Sequence, residues 1–164
     1  DMSSGSLGQG ISAAVGMALS AKMSQKSYRV YTLLGDGEIQ EGQVWEAAMF
    51  AGYRKLDNLV VIVDNNGLQI DGRIENVCSP YPIEEKWKAF NFHVIHVENG
   101  NDLEQLDAAF SEARQTKGQP TAIIMKTVKG KGVSFMENQA GWHGKAPNAE
   151  EYAQAMAELE KAGE

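Results

Sequence analysis

Four short apolar runs recur along the chain at nearly equal spacing, and this spacing limits the possible folds more than any other feature. The runs are Arg29 to Leu34, Leu59 to Asp64, His93 to Val97 and Thr121 to Thr127. Their β-branched and apolar composition predicts β-strands. Their starts lie 28 to 34 residues apart, which is the length of a strand, a crossover helix and a return strand. The sequence therefore predicts an α/β fold with a parallel sheet flanked by helices on both faces.

Apolar residues at helical spacing fill the intervals between these runs. A first helix is predicted from Leu7 to Met23, and it should be buried. A second and a third helix should cover the sheet, and Asp102 followed by Gln105 is typical of the start of the third. A fourth helix is predicted near the end of the sequence. The apolar faces of these last three helices are predicted to lie in the core: Val44, Ala47, Ala48, Ala51; Leu103, Leu106, Phe110, Ala113; Tyr152, Ala155, Met156 and Leu159.

The composition limits the classes of function that the chain can serve. Its 164 residues with 43% hydrophobic content suffice for one globular domain, predicted to span residues 1–164. A net charge of −7 without a Lys/Arg cluster argues against nucleic-acid binding, and no apolar run is long enough to suggest a membrane partner. With a single cysteine, Cys78, and no export signal, a cytoplasmic location is expected. The start at Asp1, ahead of a run of small residues, suggests a fragment or a processed subunit.

Three unusual loops follow directly after predicted strands. They are Gly35 to Glu38, Asp64 to Leu68 and Lys129 to Gly132. Parallel strands end at the same edge of a sheet, and ligands of open α/β sheets collect outside those carboxyl ends, so the three loops should share one edge. The chain has no G-x-x-x-x-G-K-[ST] motif, and Gly5 to Gly10 lacks the G-x-G-x-x-G order after a strand. These absences argue against the common nucleotide sites.

Two of these loops carry side-chain oxygens suited to a metal, on Asp36 and Asn66. Mg²⁺ prefers one or two carboxylate or carbonyl oxygens completed by water and phosphate oxygens, and the backbone carbonyl of Leu68 would add a third protein ligand. Gly35 and Gly37 would let the backbone approach phosphates. Taken singly, Gly-Asp-Gly and Asn-Asn-Gly are also ordinary turn sequences. Because both follow strands of adjacent βα units, we predict one divalent-metal site, for Mg²⁺ or else Ca²⁺ or Mn²⁺, that binds a diphosphate.

The order Gly-Asp-Gly, 27 residues, Asn-Asn resembles the thiamine-diphosphate fingerprint of a large enzyme superfamily. Further stretches resemble transketolases in particular. They are Gly5 to Gly10, Glu41 to Ala47, Ile70 to Gly72, and Val128 to Gly132 with Trp142 to Lys145. The chain is thus similar to the N-terminal, diphosphate-binding domain of transketolase, or to the N-terminal subunit of a split transketolase, apparently truncated.

The resemblance implies both the cofactors and the residues that bind them. Thiamine diphosphate and Mg²⁺ are the implied cofactors, with Asp36, Asn66 and the Leu68 carbonyl as metal ligands. This agrees with the ligands chosen from the residues alone. The cofactor contacts that it implies are Gly5, Leu7, Asp36, Gly37, Glu41, Asn66, Leu68, Ile70, Lys129 and His143.

Several members of this set have roles that depend on the resemblance alone. Gly5 and Leu7 would lie near the aminopyrimidine and thiazolium rings, whereas Lys129 and His143 would serve the diphosphate and the donor end of the substrate. His143 is also implied to be catalytic. Without the resemblance, the favoured interpretation of Lys129 is a solvated lysine in a glycine-rich loop, and that of His143 a surface histidine beside Trp142.

The implied reaction is the transfer of a two-carbon ketol unit from a ketose phosphate to an aldose phosphate. Glu41 and Glu46 match family positions that connect the two active sites of a dimer through acidic residues and water, which makes them catalytic candidates with a buried, shared proton. The alternative is a pair of exposed acids at the start of a helix, where the helix dipole favours negative charge.

The resemblance also implies partners, because the acid that activates the cofactor ring comes from another domain of a neighbouring subunit. We therefore expect sugar-phosphate substrates, and either a homodimer or a heterotetramer with a pyrimidine-binding domain or chain. The family's upstream segment and downstream domains are missing, so the chain alone should bind cofactor weakly or turn over little. Two alternatives stay open: another thiamine enzyme subunit, of deoxyxylulose-phosphate synthase or 2-oxoacid dehydrogenase type, and a non-catalytic binding module.

Overall fold

The computed structural model describes residues 2–162. Asp1, whose position at the start suggested a fragment, lies outside the described residues. The strands are β1 (Val30–Gly35), β2 (Leu59–Asn65), β3 (Leu68–Gln69), β4 (Gly72–Arg73), β5 (His93–Val97) and β6 (Thr121–Lys126). The α-helices are α1 (Gln9–Met23), α2 (Gly42–Tyr53), α3 (Ile74–Cys78), α4 (Ile83–Ala89), α5 (Leu103–Gln115) and α6 (Ala149–Ala162). Two 3₁₀ turns lie at Glu38–Gln40 and Ala140–Trp142.

The main sheet is parallel, with its strands in the order β1, β2, β6, β5. The four predicted strands are confirmed, and their ends differ from the prediction by one residue at most. The hairpin of β3 and β4, which follows β2 after a two-residue turn, was not predicted. Since β2 lies between β1 and β6, the loops after these three strands emerge side by side at the carboxyl edge of the sheet.

Strand β2 shows how the core divides between the two faces. Leu59, Val61 and Val63 point to one face and pack in a cluster that includes residues of α1, α2 and α4. Val60 and Ile62 point to the other face and pack beneath α5. This alternation follows from the period of two along a strand. The predicted α/β architecture with helices on both faces is therefore confirmed.

Helix α1 begins at Gln9 rather than at the predicted Leu7. The reason is Gly8, whose φ of 82° lies in the left-handed region and cannot continue a right-handed helix. The predicted burial of this helix holds for one face only, because Met17 and Met23 on the outer side are exposed.

The predicted burial of two apolar helix faces is partly wrong. Ala155 is buried, but Tyr152, Met156 and Leu159 on the same helix α6 are 38 to 57% exposed. Leu103 is also exposed, at the first turn of α5. Helical spacing identifies an apolar face but not whether another element covers it. The predicted start of α5 is confirmed, since Asp102 accepts hydrogen bonds from the first-turn N–H groups. Within residues 2–162, no helix has the length and apolar character needed to cross a bilayer.

Strand β1 forms one edge of the described sheet. A groove of about 800 Å³ runs beside it, with Met2 to Ser4 and one side of α1 forming much of its wall. Tyr31 and Leu33 on this strand are 45% and 65% exposed. The edge therefore presents both unpaired backbone groups and apolar side chains.

Candidate functional site

Asp36 lies at the carboxyl edge of the sheet, immediately after β1. Its carboxylate is 1% exposed and accepts two backbone N–H groups: Oδ1 from Gly37 at 2.8 Å and Oδ2 from Gly67 at 2.6 Å. Its own N–H donates to the carbonyl of Asp64 at 3.1 Å. Asp36 thus joins the loop after β1 to the loop after β2.

The carboxyl of Asp36 is buried without a cationic partner in the described part of the chain. Burial has the largest effect and raises the pKa of Asp36 above its ordinary value of 3.8, although the N–H groups of Gly67 and Gly37 oppose it. The neighbouring charge of Asp64 raises this pKa further, and that of Lys129 lowers it. A buried carboxylate in such surroundings favours the approach of a cation.

Asn66 occupies the second loop in a fixed orientation. Its Oδ1 accepts the N–H of Leu68 at 3.0 Å, and its Nδ2 donates to Oδ1 of Asp64 at 3.3 Å. Between Asn66 and Leu68, Gly67 adopts a φ of 77°, which turns its N–H towards Asp36. The structure thus brings the loops of Asp36 and Asn66 together, with Leu68 starting the hairpin beside them.

The hairpin of β3 and β4 packs closely on the Gly-Asp-Gly loop. A Cβ on Gly37 would lie 3.1 Å from Cβ of Gln69, and the Gln69 side chain accepts a hydrogen bond of 2.7 Å from Gln40. Ile70 at the hairpin tip is exposed. A side chain at position 37 would therefore press on the hairpin.

Glu38 connects the glycine-rich N-terminal loop to the same edge. Its Oε1 accepts the N–H of Gly8 at 3.0 Å and its Oε2 that of Gly35 at 3.2 Å. Gly5 and Leu7, the predicted ring contacts, belong to this loop and are exposed. Sequence reasoning missed Glu38, because nothing in the sequence shows that Gly8 comes to lie beside it.

The glycine-rich loop after β6 places Lys129 at the carboxyl edge, half-buried and near enough to Asp36 to affect its pKa. The loop is tightly wound, since a Cβ on Gly130 would lie 2.7 Å from the carbonyl oxygen of Met136. Lys131 pairs with Glu137 at 3.3 Å. For Lys129, no such ion pair forms among residues 2–162, which leaves its charge for the site.

His143 is exposed and directly follows the 3₁₀ turn at Ala140–Trp142, which lies against β4. Neighbouring contacts fix this turn: the Trp142 indole N–H donates to the carbonyl of Phe135 at 3.0 Å, and the ammonium of Lys145 lies 3.9 Å from the Trp142 ring centre. The structure does not bring His143 into hydrogen-bond contact with Asp36 or Asn66. Its catalytic role stays a prediction.

Glu41 and Glu46 are both exposed in the described chain. Glu41 lies at the start of α2, so close to the N-terminal loop that a Cβ on Gly8 would be 2.9 Å from its own Cβ. Glu46 lies one turn further along the same helix. Neither acid is buried among residues 2–162, so the shared proton stays a prediction that requires a partner surface to cover them.

The donor set fits a hard divalent cation. It consists of one buried carboxylate, an amide oxygen and a nearby backbone carbonyl. No cluster of three or more His, Cys, Asp or Glu suited to a metal occurs in the described residues.

Residues 1–161 match the family model described as transketolase, thiamine diphosphate binding domain. The 6-deoxy-6-sulfo-D-fructose transketolase subunit of Clostridium sp. (strain MSTE9) is 46% identical over 163 residues, covering 99% of this chain and 59% of that protein. An apulose-4-phosphate transketolase subunit from Phocaeicola vulgatus is 44% identical, over 97% of this chain and 56% of that protein. Transketolase from Campylobacter jejuni superposes with a TM-score of 0.89 and 34% identity, over 98% of this chain and 26% of that one. The chain thus spans a little over half the length of the first two relatives.

Proposed function

The chain belongs to the transketolase family, whose thiamine-diphosphate-binding domain it matches, and on that premise we propose that it holds the cofactor's diphosphate through a divalent cation. The observation that carries this proposal is the Asp36 carboxylate, which is buried, held by two backbone N–H groups and without a cationic partner in the described residues. Asp36, Asn66 and the carbonyl of Leu68 would bind the cation, for which Mg²⁺ is the best match.

The remaining residues of the edge would hold the cofactor and the donor substrate. The backbone at Gly37 would approach the diphosphate, and Lys129 would neutralise part of its charge. His143 would reach the donor end of the substrate. Gly5 and Leu7 would contact the cofactor rings, and Glu41 and Ile70 are further predicted cofactor contacts. When bound, thiamine diphosphate supplies the electron sink that ketol transfer requires.

The reaction we propose is ketol transfer between a ketose phosphate and an aldose phosphate. The name of the Phocaeicola vulgatus relative contains a sugar phosphate, whereas that of the Clostridium relative contains a sulfo sugar. The cytoplasmic location stays a prediction.

The partner that we propose is a second copy or a complementary chain that covers the outer face of α2. This face presents Glu46, Met49, Phe50 and Tyr53 at helical spacing, and all four are exposed. Large apolar side chains grouped on one helix are typical of a protein interface. Both relatives described above are named as subunits. Coverage of this face would also bury Glu46, which its proposed role in proton sharing requires.

Calorimetric titration with thiamine diphosphate, in Mg²⁺ and in excess EDTA, tests the cofactor proposal. We expect binding in Mg²⁺ and none in EDTA. An absence of metal-dependent binding, even with a complementary chain present, would contradict the proposal. Product analysis with xylulose phosphate and ribose phosphate, in the presence of the complementary chain, then distinguishes a catalytic subunit from a non-catalytic module.

Substitution on α2 tests the partner surface separately. Phe50→Glu should abolish assembly with a second copy or complementary chain while leaving the metal-dependent titration unchanged. Leu103→Glu is the matched control, because Leu103 is 80% exposed on α5 and should leave assembly intact. Equal effects of the two substitutions on assembly, measured by light scattering, would show that α2 is not the interface.

A further inference from the structure

Three side chains form a continuous line across the ends of β2 and β6. The Thr127 hydroxyl donates a hydrogen bond to Oδ1 of Asp64, and the same oxygen accepts a hydrogen bond from Nδ2 of Asn66 at 3.3 Å. Asp64 and Thr127 are not among the proposed metal ligands or cofactor contacts. Both lie next to the metal loop, so their effect on Asn66 can be worked out from the hydrogen bonds.

Asp64 determines which way the Asn66 amide points. As a carboxylate it can only accept, so it selects the NH₂ group of Asn66 and turns the amide oxygen away from itself. The N–H of Leu68 donates to that oxygen at 3.0 Å, which favours the same orientation. A flipped amide would face its oxygen towards a carboxylate and its NH₂ towards an N–H donor. One lone pair of the amide oxygen then stays available for a metal ion.

Thr127 in turn fixes Asp64, and its own position is tightly constrained. Its N–H donates to the carbonyl of Asn65 at 3.3 Å, which extends the pairing of β2 and β6 by one residue. Gly100 packs directly against it, since a Cβ at position 100 would lie 2.7 Å from Cγ2 of Thr127. A β-branched side chain confined in this way has little rotational freedom.

We propose that Asp64 and Thr127 are positioning residues that hold the Asn66 amide oxygen in the direction required by a divalent cation. The inference rests on the proposed function of the site and adds to it a preference for one metal ion over another. Mg²⁺ requires nearly ideal octahedral geometry, whereas Ca²⁺ accepts flexible coordination. Loosening Asn66 should therefore weaken the binding of Mg²⁺ more than that of Ca²⁺.

Thr127→Val tests the proposal, because it removes the hydroxyl while keeping the shape of the side chain. The measurement is a calorimetric titration of the full chain with Mg²⁺, and separately with Ca²⁺, at saturating thiamine diphosphate. We expect the apparent Kd for Mg²⁺ to rise about 10-fold, as is usual when a partner of a metal ligand is lost. The Kd for Ca²⁺ should rise clearly less. Thr127→Ser keeps the hydroxyl and should restore the preference for Mg²⁺.

The outcomes separate this inference from the function on which it rests. A wild-type chain that binds no thiamine diphosphate with Mg²⁺ contradicts the proposed function itself. If the wild-type chain binds, equal losses for both metals would indicate a merely structural role and overturn the inference. The inference would also be overturned if Thr127→Val left Mg²⁺ binding unchanged while Asp64→Asn weakened it strongly. Asp64 would then be a direct metal ligand. If Thr127→Val does not fold, as judged by thermal unfolding, the smaller Thr127→Ala provides the same comparison.

Discussion

Asp36 and Asp57 lie at opposite ends of the sheet and are held by the same backbone arrangement. Asp36 follows β1 and accepts the N–H of Gly67 at 2.6 Å, and Asp57 precedes β2 and accepts the N–H of Gly118 at 2.9 Å. Both glycines are left-handed, with φ values of 77° and 76°. The two carboxylates differ in what else surrounds them.

At the amino end, Asp57 is neutralised within the chain by Lys22, whose ammonium lies 2.8 Å away. Burial acts to raise the pKa of Asp57, but the N–H of Gly118 and the charge of Lys22 outweigh it, so the pKa lies below 3.8. Asp36 has no such partner in the described chain, and its pKa lies above 3.8. Charge is thus compensated where it supports the fold and left uncompensated where a cation can bind.

Replacing Asp36 should have the largest effect, and the effect should be on binding. Asp36→Asn removes the only carboxylate of the proposed donor set, so metal-dependent binding of thiamine diphosphate should fall by about 100-fold or more. Stability should change by about 1 kcal/mol or less, because the loss of one of the two backbone hydrogen bonds is offset by the loss of a buried charge. Calorimetry and urea unfolding measure the two effects. Wild-type binding by this variant would remove Asp36 from the site.

Replacing Asp57 should reverse this pattern. Asp57→Asn loses the ion pair with Lys22 and part of the hydrogen bonding at Gly118, which should reduce the free energy of unfolding by about 1 kcal/mol. Metal-dependent binding should stay at the wild-type level. Lys22→Met provides the matched control, since the double variant should lose less than the sum of the two single losses. A loss of binding in Asp57→Asn would show that the two ends of the sheet are not independent.

The two left-handed glycines allow a matched pair of substitutions. A Cβ on Gly67 or on Gly118 would meet no atom within 4 Å, so alanine at either position adds backbone strain and no clash. Each substitution should lower the free energy of unfolding by about 1 kcal/mol. Only Gly67→Ala should also weaken metal-dependent binding, by several-fold, because its N–H orients Asp36. Equal binding by the two variants would contradict this difference.

The smallest expected effect is a difference in pH dependence. Asp57 has a lowered pKa in the folded state, so its stabilising effect is present above about pH 4 and is lost as the pH falls through that lower folded pKa. Asp36 has a raised pKa, so its ionisation removes stability as the pH rises from 3.8 through the folded value. In the absence of metal, the loss in free energy of unfolding caused by Asp57→Asn should therefore grow as the pH rises. The loss caused by Asp36→Asn should shrink over the same range. Urea unfolding between about pH 3 and pH 7 measures both slopes, and slopes of equal sign would refute this assignment.

The features predicted from the sequence are those set by short-range patterns. The first two strands of the main sheet were predicted from composition to end at Leu34 and Asp64, one residue before their observed ends, and the adjacency of their loops follows from regular spacing. The bond from Thr127 to Asp64 joins residues 63 positions apart, and the bond from Gly8 to Glu38 joins residues 30 apart, so no local pattern reveals them. The exposure of Met156 on α6 depends on which elements pack against that helix. Helical periodicity carries no information about such neighbours.

The open edge of β1 has a practical consequence for handling the protein. A strand with unpaired N–H and C=O groups is a template for pairing with any extended chain, and Tyr31 and Leu33 add apolar surface. No lysine, proline or bulge interrupts Val30–Gly35 to discourage such pairing. We therefore expect a chain whose β1 edge stays uncovered to aggregate as its concentration rises, and Leu33→Lys should reduce this tendency.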